Sequence, residues 1–502
     1  MKELKQPNSA DTVTFQSLLR PALTPVLQNR DYDRLVEDLR QLDDNLIQGG
    51  LEDLAIRFAL SQLPPGASDT VRNRKAQFAL YALRVELLRH LLGLPGFEAF
   101  SMTLASSDLL SDFCGCRSLV GVRWTSKSTL HRASKLFTDE QLRAFNTRLV
   151  ELAADQSKCY RLGVEQAEDL SVCLVDSTCL EANIHFPVDW ALLGDVTRTL
   201  LKAVKLIRAQ SLLHRMPDSA DRLLRRMNKL CMEMTHTRHR KGGPKARKKI
   251  LRKMKRLLKR VGAHALRHRN LLEARFKETR FSRARAEQVI RRIDEQLELL
   301  PQVIEQAHER IIGGRLVKNH KKILSVYERD IAVIVRGKAG AQVEFGNELF
   351  IAESPGAMII DYMLYGKTAP WEGDKLIESV RRQHSLKRQQ DLEWAVADRG
   401  FDGAATRRAL QAARVSSHIC PKSPLELEVR LKEPDFCRWQ TRRAGTEARI
   451  AIVKNHGGGR VWRAKGLKHR RLAVGWSVLA HNLAWIGRKV RKERLEAQAK
   501  AA

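Results

Sequence analysis

Two short apolar runs, Val172-Cys173-Leu174-Val175 and Trp394-Ala395-Val396-Ala397, each end on an aspartate, and the two aspartates stand 222 positions apart. Four apolar residues in a row are too few for a helix and suit a buried strand. Between the runs, apolar residues recur for about 120 positions at helical spacing. Such a chain is expected to fold as an α/β core whose first strand is separated from the others by a long helical insertion. Carboxylates at the ends of buried strands are candidate ligands for hard divalent cations. Each alone is equally ordinary turn chemistry.

Residues 1–165 read as an all-α N-terminal region. The spacing predicts one helix over Tyr32–Leu63, ended by Pro64-Pro65-Gly66, and a second over Val71–Leu94. Leu104–Phe113 and Ser126–Arg132 suggest two helices around a short connection at Cys114-Gly115-Cys116, with Ser126 or Thr125 as cap and Leu130, Ala133 and Phe137 facing inward. That pattern fits a helix-turn-helix meeting DNA, or an ordinary helical hairpin. The core is expected over 166–195 and 318–490, the helical insertion over 196–317 and a basic tail over 491–502. In the insertion, Leu251, Met254, Leu258, Val261 and Ala265 form one heptad seam. Ile290, Ile293, Leu297, Leu300, Ile304, Ala307 and Ile311 form another, with a kink expected at Pro301. Strands are expected at Ser171–Asp176, Ile323–Tyr327, Ile331–Val335, Val343–Phe345, Leu349–Ala352, Leu392–Ala397 and Val415–Cys420, and helices at Lys375–His384 and Gly403–Ala413.

Charge narrows the partner. The 502 residues carry 90 Lys and Arg against 57 Asp and Glu, a formal net charge of +33 that suits a polyanion. The densest run, His236 to Arg260, holds thirteen Lys and Arg and no acid, including Lys245, Arg247, Lys248, Lys249, Arg252 and Lys253. A solvated helix face normally mixes signs, so this run is read as a contact for nucleic-acid phosphates. The eight cysteines lack zinc-like spacing and read as reduced and buried. No apolar signal core follows Met1, and Leu472–Gly487, with His481 and Asn482 inside it, reads as a buried helix and not a membrane span. No Walker-type phosphate loop and no HExxH pair is present.

The third candidate acid is Glu447. In one continuous helix, Arg443, Glu447 and Lys454 would fall within about 40° on one face, with Ala444, Ala448 and Ile452 opposite and Asn455-His456-Gly457-Gly458-Gly459 as the stop. An Arg–Glu pair on a solvated face has the same spacing.

Arg443-Ala-Gly-Thr-Glu447 followed by Lys454 resembles the Tyr, Arg, Glu, Lys signature of DDE-type bacterial insertion-sequence transposases, with Gln440 where that signature has its Tyr and Trp439 beside it. Asp176 to Asp189 resembles the first-Asp motif of that family, Ala397-Asp398-Arg-Gly-Phe401 its second, and Gly337–Gly346 is similar to the strand pair between them. The resemblance spans roughly residues 170–490, with the motifs in family order. It implies an RNase H-like catalytic core. Asp176, Asp398 and Glu447 would hold two Mg²⁺ ions, or Mn²⁺ in their place, and Arg443 and Lys454 would contact phosphates near the scissile bond. It also implies duplex DNA as partner (transposon ends and target), a homodimer or larger assembly on DNA, no membrane, and a nucleoid-associated place in the bacterial cytoplasm. Asn183, His185 and Asp189 are expected to be structural. Two other readings stay open: a metal-dependent nuclease without strand transfer, and a catalytically inactive basic DNA-binding protein.

Overall fold

The expected helix over Tyr32–Leu63 is two, α1 (Arg30–Gln48) and α2 (Leu51–Leu60). Gly50 separates them at φ +69°, a left-handed conformation that glycine adopts without a Cβ penalty. This computed structural model describes residues 29–501 except 95, 119, 238–240, 339–340, 387–389 and 457–463. Asn29 caps α1 by accepting from the Tyr32 amide at 2.9 Å. Next come α3 (Asp69–Leu91), α4 (Phe97–Ser106) and α5 (Asp108–Phe113). A small hairpin of β1 (Arg117–Ser118) and β2 (Gly121–Val122) then leads to α6 (Lys127–Ala133), so a hairpin occupies what was expected to be a plain connection. Ser126 caps α6, and Leu130, Ala133 and Phe137 are buried as expected. Helix α7 (Asp139–Ala154) opens with a capping box between Thr138 and Gln141.

Strand β3 (Val172–Glu181) follows, running past Asp176 and placing that residue inside the strand instead of at its end. The chain divides into two compact units, one of the described residues up to Glu181 with those from Asn347 onward, the other Ala182–Gly346. This is a coarser division than the sequence suggested. Leucines of α1–α3, Phe145 of α7, and Cys173 and Val175 of β3 share a single apolar core.

The second unit holds α8 (Asp189–Arg208), α9 (Ala220–His236), α10 (Gly243–Arg275) and α11 (Arg283–Ile311) around one core. Leu251, Met254, Leu258, Val261 and Ala265 are all buried, as the first heptad seam required. On α11 the buried line is Ala286, Val289, Ile293, Leu299, Val303, Ile304 and Ala307, so Ile293, Ile304 and Ala307 of the expected seam are buried, while Ile290, Leu297, Leu300 and Ile311 only flank it. Pro301 lies inside α11 on its exposed side without ending the helix. Residues 323–327, expected as a strand, form none. Their backbone bonds go to glutamines of α11: Gln306 accepts from the Ile323 amide at 2.7 Å and donates to its carbonyl at 3.0 Å, and Gln296 donates to the Val326 carbonyl. Asp189 is held by Gln306 and Arg310, and His185 by Asp195, which are structural roles within this unit. Strand β4 (Ala332–Lys338) pairs antiparallel with the start of β5 (Ala341–Glu353), Ala332 opposite Gly346 and Val335 opposite Val343. The two strands expected at 343–345 and 349–352 are therefore one, and it ends in the first unit.

The rest of the first unit continues with β6 (Ile359–Leu364), which the sequence reading missed, and α12 (Glu372–His384), β7 (Trp394–Ala397), α13 (Ala404–Ala412) and β8 (Ser416–Ile419). Four helices close the chain: α14 (Pro424–Arg430), α15 (Pro434–Arg443), α16 (Thr446–His456) and α17 (Leu467–Ala501). The residues 491–501 expected as a tail belong to α17. In this unit the strand order is β6-β5-β3-β7-β8. Strands β5 and β6 pair antiparallel, and β3, β7 and β8 are parallel. The mixed sheet and its helices make the protein α/β. Among the described residues no helix is long and apolar enough to cross a membrane.

Candidate active site

Register brings the two aspartates together. Val172, Cys173 and Leu174 of β3 lie opposite Trp394, Ala395 and Val396 of β7. Two steps further along the same parallel register, Asp176 stands level with Asp398, on neighbouring strands about 4.8 Å apart. Side chains alternate along a strand, so Asp176 shares a face with Val172 and Leu174, and Asp398 with Trp394 and Val396. Those four apolar residues form one cluster with Trp439 of α15, whereas Cys173, Val175, Ala395 and Ala397 belong to the core behind the sheet. Both carboxylates thus emerge on the face that α15 covers. The place is the point where strand order reverses, with β5 on one side of β3 and β7 on the other, where open α/β sheets usually bind their ligands.

Further along this face, Leu180 packs with Ile450 and Val453 of α16. Asp176 lies between the stretch of β3 under α15 and the stretch under α16, at the joint of the two helices. That joint corrects the sequence reading. Arg443 is the last residue of α15 and Glu447 lies in the first turn of α16, so they do not share one helix. Glycine is a poor helix former, and Gly445 falls at the break. Buried Glu353 of β5 holds both sides: its Oε1 accepts from Arg442 Nη1 at 3.1 Å and from Thr446 Oγ1 at 2.9 Å, and Oε2 lies 3.4 Å from Arg449. The face of α16 that packs on the sheet carries Ile450 and Val453, not Ala448 and Ile452. Glu447 is exposed, and Lys454, seven residues on, stands about 20° round the helix from it. The glycines read as the helix stop lie outside the described residues.

Arg443 Nη1 reaches Asp176 Oδ2 at 3.7 Å, and the Ser177 amide donates to Asp176 Oδ1 at 2.7 Å. Burial pushes the Asp176 carboxyl above its ordinary range, and the charges of Asp398 and Glu447 push the same way, against the Ser177 amide and Arg443. Asp398 and Glu447 are therefore each within electrostatic reach of Asp176. Asp398 accepts from the Gly400 amide at 2.8 Å, which fixes its side chain at the end of β7.

Gln440 connects these parts. Its Nε2 donates to the carbonyls of Ala397, 3.0 Å away, and His418, 2.6 Å away, at the ends of β7 and β8. Its Oε1 accepts from Arg443 Nε at 3.2 Å. One side chain thus ties the residue before Asp398 to the guanidinium beside Asp176. Sequence reasoning noted Gln440 only as a departure from a signature and passed over Glu353. The signal for Glu353 was a lone acid ending the apolar run Leu349–Ala352, the same kind that marked Asp176.

Three carboxylates are hard oxygen donors whose chemistry fits Mg²⁺ or Mn²⁺. Among the described residues, no three His, Cys, Asp or Glu side chains are gathered closely enough to hold a metal ion.

The basic residues of the insertion lie along α10, apart in sequence from these acids. Lys245, Lys249, Arg252 and Lys253 are exposed, and Arg247 and Lys248 half-buried. Arg247 Nε donates to Thr237 Oγ1 at 3.1 Å. Among the described residues, no carboxylate pairs with any of the six, whereas Arg260 at the end of the run pairs with Asp218. All eight cysteines are free, none of them exposed. Comparison with known proteins finds no matching family model, no matching curated protein and no matching solved structure.

Proposed function

We propose that this chain is a DNA transposase of the DDE type, which cuts DNA at the ends of its element and joins them to target DNA. The observation that carries the reading is the in-register placement of Asp176 and Asp398 on one sheet face, beneath the helix joint flanked by Arg443 and Glu447. The strand order, with an antiparallel meander on one side of β3 and two parallel strands on the other, supports an RNase H-like core with a helical insertion. Asp176, Asp398 and Glu447 would hold the divalent cations. When bound, such ions lower the pKa of an attacking water or 3′-hydroxyl and stabilise the leaving oxygen. Arg443, oriented by Gln440, supplies a fixed cation where charge develops on the phosphate. The unpaired cations of α10 favour duplex DNA as partner, because a run without acids attracts phosphates at any sequence. Two ends must be paired for joining, which calls for a dimer or larger assembly on DNA.

The test is Mg²⁺-dependent nicking and strand transfer on DNA carrying the sequences that flank the gene. Glu447→Gln is expected to abolish both while leaving binding within a few-fold. Nicking without joining by the wild type would identify a nuclease instead. Binding with neither reaction would identify an inactive DNA-binding protein.

A further inference from the structure

Four basic groups from two distant segments meet on the first unit. His131 and Lys135 lie at and just beyond the C-terminal end of α6, and Lys468 and His469 in the first turn of α17. The packing beneath them is specific. Phe137, two residues after Lys135, meets Trp476 edge-on with ring centroids 5.9 Å apart. Trp476 lies eight residues from Lys468, about 12 Å along α17. Helix α7 approaches α17 so closely that a Cβ on Gly475 would come within 2.9 Å of Leu142. The charged groups stand over this contact. His131, Lys135 and Lys468 are exposed, and His469 is half-buried. Burial lowers the pKa of His131 first, and the charges of Lys135 and His469 lower it further; burial and then Lys468 do the same to Lys135. His131 is thus within electrostatic reach of Lys135 and His469, and Lys135 of Lys468.

Nearby carboxylates are engaged elsewhere. Asp139 accepts from Arg143 at 3.4 Å. The amides of its own helix N-terminus and Thr138 hold the Glu140 carboxyl below its usual range, and the charges of Arg143 and Arg471 act the same way. The first turn of α17 contains no acid, and among the described residues no ion pair is formed by His131, Arg132, Lys135, Lys468 or His469. Arg132 on α6 is a further exposed cation, beside the exposed lysines Lys135 and Lys468. Like charges gathered by folding repel one another, and a polyanion offsets that cost.

We propose that His131, Lys135, Lys468 and His469 form a backbone-phosphate contact surface for duplex DNA, additional to the basic run of α10. The proposal rests on the DNA-binding reading above. The unit that bears the three acids then has its own grip on DNA and does not depend on the insertion alone.

The experiment measures duplex affinity of the full chain against salt for the wild type, for Lys135→Gln/Lys468→Gln, and for Lys245, Arg247, Lys248 and Lys249 all changed to Gln. Each lost phosphate contact lowers the log–log slope by about 0.9, so the double variant is expected to lose about 2. Its melting temperature without DNA should hold or rise, since only exposed, mutually repelling cations are removed. Lys135→Arg/Lys468→Arg should restore the slope, separating charge from any effect on folding. An unchanged slope in the double variant, with a reduced slope in the α10 variant, overturns this surface and leaves the DNA-binding reading standing. A wild type without salt-dependent duplex binding overturns both.

Discussion

Raising the pH through neutrality should weaken the first unit at one identifiable place. Glu372, the first residue of α12, accepts from Ser177 Oγ at 2.7 Å and from Lys375 Nζ at 3.1 Å, and Lys375 also bonds Glu348 at 2.8 Å. Lys375 is almost entirely buried, on the side of the sheet opposite Asp176. Burial, then the neighbouring Glu348 carboxyl, push the pKa of Glu372 from the ordinary 4.5 up to about 7. A folded-state value above the unfolded one means that the native protein holds a proton that the unfolded chain has released. Stability from this group is therefore full below pH 4.5 and is lost as the pH rises through 7. A rise of about 2.5 units corresponds to about 3 kcal/mol, and the favourable position of a carboxylate at a helix N-terminus trims it by up to about 1 kcal/mol.

Glu372→Gln mimics the protonated acid and cannot ionise. In urea unfolding, variant and wild type should match near pH 5, and the variant should be more stable by about 2–3 kcal/mol at pH 8. Parallel stability curves for the two proteins between pH 5 and 8 would refute the reasoning, because the proton would then not be bound in the folded state.

Three further outcomes follow from the site. Asp176→Asn should raise the melting temperature at neutral pH while removing metal-dependent cleavage, since burial and two like charges oppose the ionised form; a lower melting temperature would contradict this. Gln440→Ala should cost about 2 kcal/mol in chemical unfolding, about 1 for each carbonyl bond lost, and should slow nicking through Arg443; a cost under about 0.5 kcal/mol would show those bonds to be weak in solution. Glu353→Ala strands Arg442 and Arg449 beside an apolar strand and should destabilise by about 3–5 kcal/mol, measured by the same unfolding; a neutral result would remove Glu353 as the pin of the α15–α16 joint.

Elements with a strong local pattern were legible in the sequence. Strands β7 and β8 and helices α12 and α13 lie where short apolar runs and helical spacing placed them, because each has one face against the core. Errors arose where long-range bonds override local pattern. Residues 323–327 look like a strand, but glutamines of α11 take their backbone groups. The segment from Arg443 to Lys454 reads as one helix, but it breaks where Glu353 binds both sides of Gly445. β6 was overlooked although it pairs with β5 over five residues, from Leu349 opposite Leu364 to Glu353 opposite Ile359.

By itself the sequence determined the acids at apolar boundaries, the excess of positive charge and the long helical insertion. These are properties of composition and period, which any fold of the chain must satisfy. Only the tertiary structure decided that Asp176 and Asp398 stand level on adjacent strands, that Glu447 comes within electrostatic reach of Asp176 from a second helix, and that Gln440 joins their supports. Local periodicity records which side of an element is buried, but it does not record which distant element covers that side. That choice is made by strand register and by buried polar bonds such as those of Glu353 and Gln440, whose partners lie tens of residues away.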